Sequence, residues 1–172
     1  MDGIRLIGAN QDTLKFKINH DNHELDVIGF KMVEHYDKLK RIEFDLYRNN
    51  THIGKHIFKF KKIDDNLIVE SKINFKIKKL GVVLYTYFAE GTEIYKDGTL
   101  IKFNSITNQN KKDKFVNLEL KNNEYIINGS SYKGNAPLNY VLGTWWNHSI
   151  VEAAAQISAV SGRIIKQKVT FL

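Results

Sequence analysis

Two glutamates and a group of aromatic residues are the first part of this sequence that could carry out chemistry. Glu90 and Glu93 lie in YTYFAEGTEIY, residues 85–95. A glutamate that points into an aromatic interior has a raised pKa and can act as a general acid. The two glutamates are three residues apart, so on a strand they face opposite sides of the sheet. This spacing disfavours catalysis by a pair of carboxylates. We instead expect the glutamates to serve as a surface partner for lysine or a buried partner for Arg48.

Adjacent tryptophans in LNYVLGTWWNHSI, residues 138–150, form the second candidate site. Two indoles could make an aromatic platform for a base, a sugar or an acyl chain. The alternative is packing, in which one indole closes the open end of a barrel and the other lies on the surface beside Pro137. We favour packing for Trp145 and Trp146, and we expect Asn147 to cap a helical turn.

Metal and nucleophile sites have little support in the sequence. The spacing of His52 and His56 predicts that they share one side of a strand, but the only further donor considered is Asp45 across a hairpin. The chain contains no cysteine, which excludes disulfides and thiolate chemistry. Neither a Gly-x-Ser-x-Gly motif nor a phosphate-binding glycine loop occurs. We therefore predict no catalytic residue, no metal site and no cofactor, and we expect a protein that is not an enzyme.

Alternation of apolar and polar residues is the main structural signal. In SKINFKIKKL, residues 71–80, Ile73, Phe75 and Ile77 alternate with lysine and asparagine. The same period of two recurs in TLKFKINH, HIFKFKKI and KFVNLELK. It indicates half-buried antiparallel strands with lysines on the solvent face. The longest apolar run, LGVVLYTYFA at residues 80–89, is too short to span a membrane and is predicted to be a buried strand.

Short polar turns separate these strands. RNNTH, IDDNL, KDGTL, TNQNKKD and KNNEY are rich in residues that tolerate the positive φ angles of tight hairpins. Strands joined in this way form a meander, which must curl to hide its apolar face. The predicted fold is all-β: an antiparallel meander curled into a lipocalin-like or open β-barrel. Near residues 147–156 the alternation stops, and a short helical turn is expected there.

Charge divides the chain into two parts. The formal net charge is +7, but residues 1–36 hold four basic and six acidic residues, whereas residues 37–172 hold 22 basic and 13 acidic ones. A basic domain can attract phosphates or anionic lipid heads, although most of these lysines fit the solvated face of strands. We predict a three-stranded segment over residues 1–36 and a β-barrel-like domain over residues 37–172.

The first part combines a short strand ending in Ile-Gly, then LKFKI, a polar turn and LDVIGFKM. With this pattern residues 3–36 resemble part of the C-terminal barrel segment of RecJ, a single-stranded-DNA-specific exonuclease. The resemblance implies an oligonucleotide-binding-type fold, with candidate nucleic-acid-binding residues Lys15, Phe16, Lys17 and Phe30. The Asp-His-His metal motif of that family does not occur in this sequence, so nuclease activity does not carry over. The segment could be the remnant of a gene fusion.

The second part contains FDLYRNNTHIGKHIFKF, VESKINFKI, LYTYFAEGTEIYKDGTLIKFNSIT, TWWNHSI and SGRI. With these segments residues 42–171 resemble an uncharacterised bacterial domain-of-unknown-function family whose members are usually exported. The resemblance implies a curled antiparallel sheet without a known activity. The sequence as it stands has no signal peptide and no transmembrane segment, which alone predicts a cytoplasmic protein, so the compartment stays open.

These observations together predict a binding domain. A curled sheet with an aromatic-rich interior suits an apolar or amphipathic small molecule, or a cell-envelope partner. The candidate ligand-binding residues are all aromatic: Trp145, Trp146, Tyr85, Tyr87 and Tyr95. The alternative is a module associated with single-stranded nucleic acid through the RecJ-like segment.

Overall fold

The computed structural model describes residues 39–168, and for residues 14–18 the backbone alone. These residues form twelve strands and one short 3-10 helix, His148–Val151. The strands are β1 Leu14–Ile18, β2 Arg41–Arg48, β3 Thr51–Ile63, β4 Asn66–Lys79, β5 Val82–Lys96, β6 Thr99–Gln109, β7 Lys112–Lys121, β8 Glu124–Gly129, β9 Lys133–Pro137, β10 Val141–Leu142, β11 Ala155–Ile157 and β12 Ile164–Lys166.

The first nine strands form one antiparallel meander. Each strand pairs with its neighbours in sequence, from β1 at one edge to β9 at the other. The two edge strands do not pair with each other, so the sheet is an open, barrel-like one. A second sheet is small: β10 lies parallel to β11, which lies antiparallel to β12. The predicted all-β antiparallel meander is confirmed.

The hairpin turns mostly use the residues that the sequence predicts. Asn49 and Asn50 between β2 and β3 have φ angles of 48° and 61°, and Asn122 and Asn123 between β7 and β8 have 49° and 64°. The turn between β4 and β5 was not predicted. There Leu80 has φ 49° and Gly81 has φ 80°, and leucine is not a residue that marks a turn.

One face of the large sheet forms the core. Phe58 and Phe60 of β3, Val69 of β4, Phe103 of β6 and Leu118 of β7 are all at most 5% exposed. They belong to one cluster of buried side chains. Burial of each such side chain contributes about 1.5–3 kcal/mol to folding. The predicted alternation is therefore confirmed for the middle of the sheet.

The opposite face of the sheet carries charged residues. Lys61 pairs with Glu70 at 2.8 Å, and Lys72 pairs with Glu90 at 2.6 Å. Such exposed pairs contribute at most about 1 kcal/mol each. These exposed ion pairs show that this face of the sheet is in contact with water.

The small sheet packs across the core face of the large one. Leu142 of β10 and Ile157 of β11 are 4% and 0% exposed. The Ser105 hydroxyl of β6 donates to the Ala159 carbonyl at 2.6 Å. A Cβ atom on Gly129 would lie 2.5 Å from the Ser161 carbonyl oxygen, so only glycine permits this close approach.

β4 and β5 extend beyond both of their neighbours. β3 pairs with β4 only as far as Phe75, which lies opposite Gly54. β6 pairs with β5 only as far as Tyr87, which lies opposite Gln109. Residues 76–86 therefore form a two-stranded projection, which we call the arm.

The arm corrects one expectation from the sequence. The run at residues 80–89 does enter strand β5, but it is not buried along its whole length. Leu80, Val82, Val83 and Leu84 are 96%, 62%, 47% and 54% exposed. An apolar run is buried only where other elements cover it, and neither β3 nor β6 pairs with the strands here. Within the described part of the chain, no helix is long and apolar enough to cross a bilayer.

Candidate ligand-binding site

Trp146 closes one end of the core. Its side chain is 3% exposed and belongs to the buried cluster. The ring meets Phe60 edge-to-face at 5.4 Å and Tyr95 edge-to-face at 5.5 Å, and aromatic rings prefer this geometry. Trp145 is 49% exposed. The packing interpretation therefore describes both tryptophans: one indole fills the core and the other lies at the surface.

The helical turn after the tryptophans has the predicted cap. The Asn147 side chain accepts a hydrogen bond from the Ser149 backbone N–H at 3.0 Å. Asn147 thereby caps the 3-10 helix His148–Val151. The cap satisfies a backbone donor that the helix itself leaves open. It thereby stabilises the start of the helix directly after Trp146.

Glu93 is the polar partner of Trp146. The Trp146 Nε1–H donates to Glu93 Oε1 at 3.0 Å, and the Tyr95 hydroxyl donates to Glu93 Oε2 at 2.6 Å. Glu93 is 0% exposed. Burial raises the pKa of Glu93 from 4.5 to about 7, although both hydrogen bonds oppose this rise. Burial also raises the pKa of Tyr95 well above 10.

The two glutamates have the separate roles that their spacing predicts. Glu90 lies on the outer face and pairs with Lys72, whereas Glu93 lies in the core. The prediction that Arg48 is the buried partner is wrong for Glu93, because the Glu93 carboxyl accepts hydrogen bonds from Tyr95 and Trp146. Glu93 is thus buried, and each of its carboxyl oxygens accepts a hydrogen bond within the core.

Trp146, Glu93 and Tyr95 together form what we call the plug. Tyr85 and Tyr87 lie away from it, where the arm joins the sheet. Both rings stack on Phe75, at centroid distances of 5.9 Å and 5.1 Å. Gln109 Nε2 donates to the Tyr85 hydroxyl at 2.6 Å, and Lys114 Nζ donates to Gln109 Oε1 at 2.6 Å. Burial raises the pKa of Tyr87. The five predicted ligand-binding residues thus fall into three places, and their role in binding stays a prediction.

A cleft of about 860 Å³ lies beside this aromatic stack. It occupies the step beside the β2–β3 hairpin, where β3 begins and the neighbouring β4 continues into the arm. Phe75, Ile77 and Leu84 provide apolar lining, and Lys76 and Lys78 provide positive charge. The remaining lining residues are Arg48, Asn49, Thr51, His52, Ile53, Gly54, Asn74 and Lys79. The cleft therefore combines an apolar surface with a cationic one.

The contribution of Phe75, Leu84 and the arm lysines to this cleft was not predictable from the sequence. Their alternation correctly indicated a strand, but it carried no information on where the neighbouring strands stop. The one signal that could have located the cleft is the turn at Leu80. It lacks asparagine, aspartate and proline, unlike a usual polar turn.

The two histidines of β3 do not share a face, which corrects the expectation from their spacing. A bulge lies where β2 pairs with this part of β3, between Leu46 and Tyr47. His52 Nε2 lies 3.2 Å from Asp45 Oδ1 on the outer side, whereas His56 packs against Phe58 with centroids 4.2 Å apart. Burial lowers the pKa of His56 to about 4. Among the residues that the structure describes, no cluster of three or more metal-ligating side chains occurs.

The residues of the nucleic-acid alternative can be located only in part. Lys15, Phe16 and Lys17 belong to β1, where only the backbone is described, and β1 pairs antiparallel with β2. Phe30 lies outside the described residues, as do the other two strands predicted in residues 1–36. The alternative gains no support from the described residues, and the boundary at residue 36 stays a prediction.

Comparison with known proteins adds a family and no activity. No curated protein and no solved structure matches this chain. The resemblance of residues 3–36 to RecJ gains no support, since the matching family model begins at residue 44. That model covers residues 44–172 and includes the arm, the cleft, Glu93 and both tryptophans. The chain therefore belongs to the family described as a domain of unknown function, DUF6134.

Proposed function

We propose that this domain binds an amphipathic anion, an acyl chain with an acidic head group, in the cleft at the base of the arm. The observation that supports the proposal best is the lining of the cleft. Phe75, Ile77 and Leu84 offer apolar contact, while Lys76 and Lys78 offer positive charge at its margin. Ligand sites in proteins commonly combine a large apolar surface with a few polar groups that orient the ligand.

The core itself is a poorer place for a ligand. Trp146 fills the end of the core and touches Phe60 and Tyr95. A ligand there would have to displace a buried indole and break its hydrogen bond to Glu93. Leaving a buried carboxyl without one of its donors costs about 1–3 kcal/mol. The cleft requires no such displacement.

Binding is also better supported than catalysis. Among the described residues, the acid with the strongly raised pKa, Glu93, is 0% exposed, and the histidine with the strongly lowered pKa, His56, is 7% exposed. General acid–base catalysis needs a group within hydrogen-bond reach of the substrate. Neither residue lines the cleft. The histidine that does line it, His52, already lies 3.2 Å from Asp45.

Calorimetric titration with two surfactants of equal chain length and opposite charge tests the proposal. We expect saturable binding of dodecanoate below its micelle concentration, and binding of dodecyltrimethylammonium weaker by about tenfold or more, since the lysines repel it. Equal affinity for the two surfactants would contradict an anion-selective cleft.

Two matched variants locate the binding site. Leu84 lines the cleft and Val82, two residues earlier, does not; both side chains are more than half exposed. We expect Leu84→Asp to weaken dodecanoate binding by about tenfold or more, because it removes apolar contact and adds like charge. Val82→Asp should leave the affinity within about threefold. An equal loss in both variants would show that the ligand lies elsewhere.

A further inference from the structure

The tip of the arm exposes an unusual amount of apolar surface. Leu80, Val82, Val83 and Leu84 are four apolar residues within five positions, and each is at least 47% exposed. Single exposed apolar side chains are ordinary, but a contiguous group marks a surface that meets an apolar partner. The tip also lies beyond the ends of β3 and β6, where the arm can reach a partner without obstruction by those strands.

The backbone conformation at the tip also indicates an external partner. Nine described residues other than glycine have a positive φ angle, and eight of them are asparagine, aspartate or lysine. The ninth is Leu80, with φ 49°. A leucine in this conformation is disfavoured, and at 96% exposure it gains no burial within the chain. Leu80 therefore gains nothing from burial among the described residues, and contact with a partner outside the chain would account for it.

The charge around the tip narrows the choice of partner. Residues 71–89 contain four lysines and no acidic residue. Lys76, Lys78 and Lys79 are exposed, and none of the ion pairs among the described residues involves them. The surface that meets the tip is therefore apolar and carries negative charge next to the apolar part.

We propose that the arm inserts its tip into the head-group region of an anionic lipid bilayer. Such a surface offers acyl chains for residues 80–84 and phosphates or carboxylates for the lysines that flank them. Nucleic acid offers negative charge without an apolar phase. A second copy of this chain would bring the lysines of one arm against those of another. The proposal does not rest on ligand binding in the cleft. Lys76, Lys78, Lys79 and Leu84 border both sites, but Leu80, Val82 and Val83 do not line the cleft.

A single fluorophore at the tip tests insertion directly. The chain has no cysteine, so Leu80→Cys provides one attachment site for an environment-sensitive dye. We expect a blue shift when phosphatidylserine-containing vesicles are added, and little shift with pure phosphatidylcholine vesicles. The control is the same dye at Ile63→Cys. Ile63 is the last residue of β3, lies opposite Asn66 at the end of β4 remote from the arm, and is 52% exposed, so the dye should not shift there. No shift at position 80, or an equal shift at both positions, would overturn the proposal.

Co-sedimentation with the same vesicles separates insertion from general attraction of a basic protein. We expect Val83→Asp to weaken binding by about tenfold or more, and each of Lys76→Gln, Lys78→Gln and Lys79→Gln to weaken it about fivefold. Ile63→Asp, which introduces the same charge far from the tip, should bind nearly as the unaltered protein does. If Val83→Asp and Ile63→Asp sediment alike, the tip does not insert.

The two proposals fail independently. Val83 does not line the cleft, so Val83→Asp should still bind dodecanoate while it loses vesicles. Phe75 lies in the cleft and not at the tip, so Phe75→Ala should lose dodecanoate affinity while it retains vesicle binding. Loss of both properties in both variants would contradict the separation of the two sites.

Discussion

Trp145 and Trp146 are neighbours in sequence that lie in opposite environments. Trp146 is buried and donates to Glu93, whereas Trp145 is half exposed. We expect Trp146→Phe to lower the free energy of unfolding by about 2–4 kcal/mol, because it removes a buried donor and part of the core volume. Trp145→Phe should change it by no more than about 0.5 kcal/mol. Urea denaturation of the two variants checks this, and similar losses in both would contradict the plug.

We expect Glu93 to make the stability of the protein fall as the pH rises. Its pKa is about 7 in the folded protein against 4.5 ordinarily, so the folded state holds a proton that the unfolded state releases. Its contribution is complete below pH 4.5 and is lost as the pH rises through 7, a loss on the order of 3 kcal/mol. We expect Glu93→Gln to remove this decline, measured as the difference between thermal unfolding curves at pH 5 and pH 8. An unchanged difference would show that Glu93 is not buried.

His56 acts in the opposite direction. Burial lowers its pKa from 6.5 to about 4, so the folded protein resists protonation of this ring. Its contribution is complete above pH 6.5 and is lost as the pH falls through 4. His56→Phe keeps a ring beside Phe58 and removes the titrating group. We expect this variant to lose less stability than the unaltered protein between pH 7 and pH 4, and a parallel decline would contradict the assignment.

One half of strands β4 and β5 is buried in the core, and the other half is exposed. Near Val69 and Glu93 the two strands lie in the core, and beyond Phe75 and Tyr87 they leave the sheet as the arm. The strand period and most turns were predictable from the sequence, because they depend on neighbours along the chain. The arm was not, because its exposure depends on where β3 and β6 end.

The β4–β5 turn should be less stable with leucine at position 80 than with asparagine there. Asparagine tolerates positive φ better than leucine does. We expect Leu80→Asn to raise the free energy of unfolding by about 1 kcal/mol, seen as a higher melting temperature. The same variant should bind anionic vesicles more weakly than the unaltered protein. A variant that is less stable would show that Leu80 makes contacts that favour folding.

The molecule as a whole places a closed core and an open cleft on one sheet. The plug joins Glu93 of β5 to Trp146, 53 residues later in the chain. Both residues stand out in the sequence, but their contact was not predictable, since it follows from how the small sheet lies across the large one. It placed Tyr85 and Tyr87 in one site with Trp146, whereas the sheet separates them into its two ends. The face that each aromatic side chain occupies was thus more predictable than its position along the sheet.

Both proposals place function at the same end of the molecule. The cleft and the tip of the arm lie together at the end of the sheet that the plug does not occupy. A tip that inserts into lipid would bring the cleft close to a source of amphipathic anions. Under the two proposals, the plugged end serves stability and the arm end serves binding.

Chemical-shift mapping of dodecanoate binding is the most direct test of this assignment. The two indole N–H signals report on Trp145 and Trp146, while backbone amides report on residues 74–79 and 84–87. We predict that the largest shifts occur in those two backbone segments and that the Trp146 indole signal stays in place. A dominant shift of the Trp146 indole, or no shift in residues 74–79, would contradict the account.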